Sequence, residues 1–169
     1  MKHRILTYLL ILAAQIVLTA NLGISYYLTL SVLPVLVLCI PMRYGRASVM
    51  FAAFAMGLAV DILAEGVVGL NVMALVCIAF LRDFLCRILF SEETVNRKEN
   101  FSVGKHGAVR VFAAVLLVQA LFLAVYIWAD GGQAWPFAQS AIRFAVSLFA
   151  GVAVSYPLAN ILTEEEDYD

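Results

Sequence analysis

Side chains able to act as nucleophiles, bases or metal ligands are few in this chain, and their placement excludes most enzyme chemistry before any helix is assigned. A hydrolase needs a nucleophile beside a base, or a metal with its ligands. The two histidines, His3 and His106, stand beside basic residues and far in sequence from any serine or cysteine in a recognisable turn. No H-E-x-x-H or G-x-S-x-G run occurs. Cys39, Cys77 and Cys86 fall inside apolar stretches without C-x-x-C spacing, so they read as small hydrophobes packed between helices. The expectation is a protein with no catalytic residue, no cofactor and no metal. A formal net charge of -1 from 11 basic and 12 acidic residues leaves no basic footprint, which removes nucleic acid from the expected partners.

The charges that carry information are those inside apolar runs. An ionisable group in a membrane span costs roughly 2.5 to 3.5 kcal/mol on insertion scales, so Asp61 must face a protein interior, a partner or water. It continues a stripe: Ala53, Gly57, Asp61 and Glu65 recur at i, i+4 spacing and share one face of a helix. Small residues on such a face let a second helix approach closely, either within the same bundle or from a partner. Gly69 and Asn71, just beyond a short connection, complete this candidate packing or partner-binding set. Arg143 is the second charge placed inside an apolar run. At a rise of about 1.5 Å per residue its depth differs from that of Asp61 by roughly 5 Å, which an arginine side chain covers. The expectation is an intramembrane Asp61–Arg143 ion pair, with snorkelling of Arg143 to headgroups as the alternative. A further group, Arg43, Arg46, Arg82, Asp83 and Arg87, reads as a cytoplasmic charge cluster. In it Arg82 and Asp83 form a solvated or headgroup-level pair, and Asp83 can also meet Arg87 at i+4. Gln15, Gln119 and Ser147 read as interhelical hydrogen-bonders, and Pro34, with Pro41 at the close of the same run, as the mark of a kinked or partly broken helix.

The elements that must hold these residues are membrane helices. With 64% hydrophobic and 14% charged residues and a mean hydropathy of +0.95, the 169 residues are a single polytopic membrane domain rather than a soluble one. A spanning helix needs about 20 predominantly apolar residues. Candidate spans run over about 5–20, 24–42, 47–64, 72–90, 108–129 and 137–162, with an inner loop at 91–107 and an acidic tail at 163–169. The fold class is therefore an all-α bundle of six transmembrane helices. Ala20 offers a small residue for signal cleavage, but Leu18 stands where a second is wanted, so the first span is expected to be retained. Of the 11 basic residues all but Arg143 fall before the first span, between the second and third, or in and beside the connection between the fourth and fifth. Cytoplasmic connections carry such an excess, so both termini are expected in the cytoplasm.

One stretch resembles a known family. G-L-x-x-D at Gly57, Leu58 and Asp61, a short loop with Gly66, G-L-N-x-x-A-L at Gly69, Leu70, Asn71, Ala74 and Leu75, and A-F-L-R at Ala79 to Arg82 are similar to the rod shape-determining protein MreD family. The detailed match covers Pro34 to Arg87, about a third of the chain, while the rest agrees in its pattern of spans. The family often has glycine where this chain has Ala53.

The resemblance implies a non-catalytic scaffold of the bacterial inner membrane, acting in cell elongation and peptidoglycan synthesis. The partners it implies are MreC, the glycosyltransferase and transpeptidase pair that builds the wall and, indirectly, MreB. It also implies an architecture similar to the six-helix substrate-binding subunit of energy-coupling-factor transporters, which supplies the competing function: small-molecule (vitamin) binding for a membrane transporter. Such a subunit needs converging polar and aromatic groups near the outer face. Here the outer connections offer little beyond Glu65, Asn71, Asp130, Gln133 and Trp135, and the A-x-x-x-A pair expected in the first span occurs in the third, at Ala55 and Ala59.

Overall fold

The computed structural model describes residues 2–22, 29–90, 107–130 and 137–167. Among these residues the regular structure is entirely helical. In chain order the helices are α1 (Lys2–Leu22), α2 (Leu33–Leu38), α3 (Arg46–Val60), α4 (Leu70–Phe90), α5 (Ala108–Ala129) and α6 (Phe137–Asp167), with a π turn at Asp61–Glu65 continuing α3. Three of them are long and apolar enough to cross a membrane, over Arg46–Glu65, Ala108–Ala129 and Ala138–Leu162.

The apolar composition serves two faces at once. On α5 the buried side is Val111, Ala114, Val115, Val118, Phe122 and Leu123, a repeat at three and four residues. The opposite side is also apolar, with Val109, Phe112, Leu117 and Trp128 exposed. Exposed Phe51 on α3, Phe84 on α4 and Phe149 on α6 continue this surface. A helix apolar all round belongs in a core or in lipid, and these are core on one side only.

α3, α4, α5 and α6 pack in sequence order, each against the next, while α1 lies against α3 and its π turn. α2 sits at the centre and touches all the other helices. Its Leu33, Val35, Leu36 and Val37 are each fully buried.

Of the kinked or partly broken helix expected over 24–42, this centre shows the broken form. Within its described part the chain is helical only over the six residues Leu33–Leu38, about 9 Å at a rise of about 1.5 Å per residue, too short to cross a bilayer as a helix. Pro34 does not kink a longer helix: it stands in the first turn of a short one, where its fixed φ suits helix entry and its missing N–H costs nothing. Residues 23–28 of that span lie outside the described residues, as do residues 91–106 of the expected inner loop. At the other end of the chain, α6 continues past 162 to Asp167, so the acidic segment expected as a tail is largely helical.

Candidate functional site

The α3–α4 hairpin explains the spacing of the residues singled out around Asp61. Ala53, Gly57 and Asp61 are buried along the α3 face turned to α4. A Cβ added at Gly57 would stand 2.8 Å from both the Cα and the N of Val72, so only glycine permits this approach of the two backbones. The α3 ladder then widens: Gly66, in the left-handed region at φ 70°, donates its N–H to the Asp61 carbonyl at 2.8 Å, closing the π turn. Gly69, at φ 113°, completes the reversal into α4.

The reversal brings the start of α4 over the Asp61 carboxylate. Its Oδ2 accepts from the Gly69 N–H at 2.8 Å and the Val72 N–H at 3.4 Å, and its Oδ1 accepts from the Asn71 N–H at 3.0 Å and Asn71 Nδ2 at 2.9 Å. The first N–H groups of a helix have no partner within it, and the helix dipole places positive potential there. Asp61 is thus a cap for α4 supplied from the preceding helix. Its burial is complete, and four N–H donors replace water around the charge.

The expected Asp61–Arg143 ion pair is accordingly corrected, since each residue takes other partners. Arg143 Nη1 meets Asp130 Oδ2 at 2.6 Å, and its Nε and Nη2 donate to Thr29 Oγ1 at 3.3 and 3.1 Å. The acid it takes stands at the end of α5, only 13 residues before it in sequence, and Asp61 on α3 is already satisfied by the start of α4. The two expected partners still belong to one neighbourhood. The guanidinium of Arg143 lies 5.9 Å from the centre of the Tyr126 ring, and the Tyr126 hydroxyl donates to Glu65 Oε2 at 3.0 Å. Tyr126 was not singled out from the sequence; a hydroxyl one turn before Asp130 in an otherwise apolar run was the available signal.

Beside this network, polar side chains meet the backbone that precedes α2. Gln15 Nε2 donates to the Leu30 carbonyl at 2.9 Å while its Oε1 accepts from the Val32 N–H at 3.1 Å. Gln119 Nε2 donates to the Ser31 carbonyl at 3.1 Å, and the Thr29 N–H donates to Ser147 Oγ at 2.9 Å. Backbone without helical bonds is tolerated at membrane depth only where protein or water satisfies it. The three polar residues read as interhelical hydrogen-bonders therefore hold a helix break rather than one another. At the far end of α2 the Tyr8 hydroxyl donates to the Cys39 carbonyl at 2.8 Å, and Arg82 donates to the Ile40 carbonyl.

The residues of the expected charge cluster separate. Arg82 is buried and bonds Ile40, which corrects its reading as a solvated or headgroup-level partner of Asp83. A guanidinium at a helix C-terminus meets carbonyls left without helical donors. Asp83 instead takes Arg46, at 2.9 Å between Nε and Oδ2, rather than Arg87 on its own helix. Arg43 stacks over Tyr44 at 5.1 Å, and Arg87 is exposed. Near Arg43 a groove of about 420 Å³ runs between α1 and α3, with an almost wholly apolar lining that includes Leu9, Leu12, Pro41, Val49 and Met56.

No protein-family model matches the chain, and neither a curated protein nor a solved structure matches it.

Proposed function

We propose that this chain is a non-catalytic scaffold of the bacterial inner membrane, a member of the MreD-like proteins that serve cell elongation. In this reading it crosses the membrane six times with both termini in the cytoplasm. α2 and the segment before it make up the broken second span, and the architecture is similar to that of the substrate-binding subunit of energy-coupling-factor transporters. MreC is its direct partner, and the glycosyltransferase and transpeptidase pair and MreB follow through the same assembly.

The supporting observation is that the residues carrying the resemblance act as one unit. Gly57 admits the backbone of α4, Asp61 caps that helix, Gly66 and Gly69 turn the chain, and Asn71 returns a hydrogen bond to Asp61. Such a hairpin fixes the shape of a helix pair and leaves its outer faces apolar, which suits a protein whose output is assembly with other membrane proteins. The groove near Arg43 is lined from α3 by Ser48, Val49, Ala52 and Met56 and includes none of Glu65, Asn71 and Asp130, the polar groups beside which the competing vitamin-binding function needs its pocket.

Depletion tests the proposal: cells should round and MreC should disperse. Normal cell width without the protein overturns it, and a vitamin co-purifying in gentle detergent would put the transporter function in its place. Single cysteines at Lys105 and Gly132 test the orientation, the first expected to be shielded from an impermeant thiol reagent in intact cells and the second to react.

A further inference from the structure

The groove between α1 and α3 has no part in the hairpin or the polar network, and its chemistry is uneven. Leu9 and Leu12 contribute from α1, Val49 and Met56 from α3, with Ile40 and Pro41 between them. Tyr8 and Ser48 add polar groups to the lining, and Arg43, exposed beside Tyr44, is its one charged residue. The nearby positive charges are answered unequally. Arg46 is neutralised by Asp83. Among the described residues Arg43 meets the hydroxyl and ring of Tyr44, and Arg82, buried against the carbonyl of the groove residue Ile40, has a bare Nε. Among the described residues neither of these arginines has an acidic partner. The site therefore joins an apolar trough to positive charge that no acid among the described residues answers, at the end where α3 begins.

The volume narrows the choice of occupant. A helix about 10 Å across fills about 420 Å³ with a single turn of about 5.4 Å, so a spanning helix of another chain does not fit inside a groove of about 420 Å³. A flexible hydrocarbon chain does, and a cavity of this size lies within the usual range for small-molecule sites of about 300 to 1,000 Å³. In a helix bundle that crosses a membrane, an apolar groove open at the surface faces acyl chains, and an arginine at its edge stands where phosphates lie.

We propose that this groove holds one acyl chain of an anionic glycerophospholipid, with the headgroup phosphate on the Arg43 guanidinium. The site rests on the membrane-spanning character of the chain and is independent of the scaffold function.

Native mass spectrometry of the full chain in gentle detergent tests it, titrated separately with phosphatidylglycerol, with phosphatidylcholine of the same acyl composition, and with inorganic phosphate. One arginine beside an anionic headgroup gives phosphatidylglycerol a preference of about fivefold. Arg43→Gln should bring the ratio to about one, whereas Arg46→Gln, whose charge Asp83 already answers, should leave it within about twofold. Ala52→Trp, which fills the groove, should weaken both lipids by on the order of tenfold, the loss of about 1.4 kcal/mol. Arg43 is exposed, so its variant leaves the fold intact and decides the matter even where Ala52→Trp does not fold. Equal retention of the two lipids by the unaltered protein, an unchanged ratio in Arg43→Gln, or displacement of lipid by inorganic phosphate overturns the proposal. So does a second copy of the chain in place of bound lipid.

Discussion

Replacing Asp61 separates two accounts of a buried carboxylate, because the structure divides its work between two oxygens. Oδ1 takes the two donors of Asn71, and Oδ2 takes the N–H groups of Gly69 and, at longer range, Val72. Alanine removes both acceptors and strands three donors that bond at 2.8 to 3.0 Å. At about 1 to 3 kcal/mol for each unsatisfied buried donor, less the relief of no longer desolvating a charge, Asp61→Ala should cost about 2 to 5 kcal/mol. Asparagine keeps a carbonyl for the Asn71 pair and turns an NH2 group toward the Gly69 and Val72 donors, so Asp61→Asn should cost about 1 to 3 kcal/mol. The order is therefore alanine worst, asparagine intermediate. An ion-pair role makes a different forecast, since asparagine and alanine remove the charge equally. The assay is reversible unfolding in mixed micelles with added SDS, followed by helical ellipticity. Asparagine as damaging as alanine, or both variants within about 0.5 kcal/mol of the unaltered protein, refutes the capping argument.

Gly57→Ala should lose about 1 to 3 kcal/mol in the same assay, since its Cβ meets backbone atoms of Val72 that cannot move aside alone, whereas Gly45→Ala, which meets nothing within 4 Å, should change stability by less than about 0.5 kcal/mol. A double-mutant cycle on Asp130→Ala and Arg143→Ala should give a coupling of about 1 to 2 kcal/mol from their 2.6 Å contact; strict additivity would show that the pair does not form. Gln15→Leu should cost about 2 to 4 kcal/mol by stranding the Leu30 carbonyl and the Val32 N–H, with proteolysis near residues 29–32 as a second readout; an unchanged melt and cleavage pattern would remove Gln15 from the support of the break.

How far the sequence discloses this arrangement depends on the range over which each constraint acts. α5 is legible to the residue, because Gly107 before it and Asp130 after it bound an apolar run that has one plausible state. The structure shows Asp61 buried, and the need for it to be satisfied within an apolar run is equally legible. Its partners are not, although they lie only eight to eleven residues on, because they are backbone N–H groups aimed by a π turn and by two glycines at positive φ. A side-chain inventory searches for an opposite charge and finds Arg143, when the positive end of α4 is closer and already at hand. Arg143 carries the same lesson in reverse: its acid lies across a short connection, and local geometry settles the pairing before helix order enters. The two prolines announce a break near α2, but what supports that break is the least legible feature. Gln15, Gln119 and Ser147 come from three different helices, and what they share is a stretch of backbone whose own bonds are missing. In a membrane helix bundle, a polar side chain with no evident polar partner in the sequence is therefore a pointer to exposed backbone, and the proline that follows such backbone marks where helix resumes rather than where it bends.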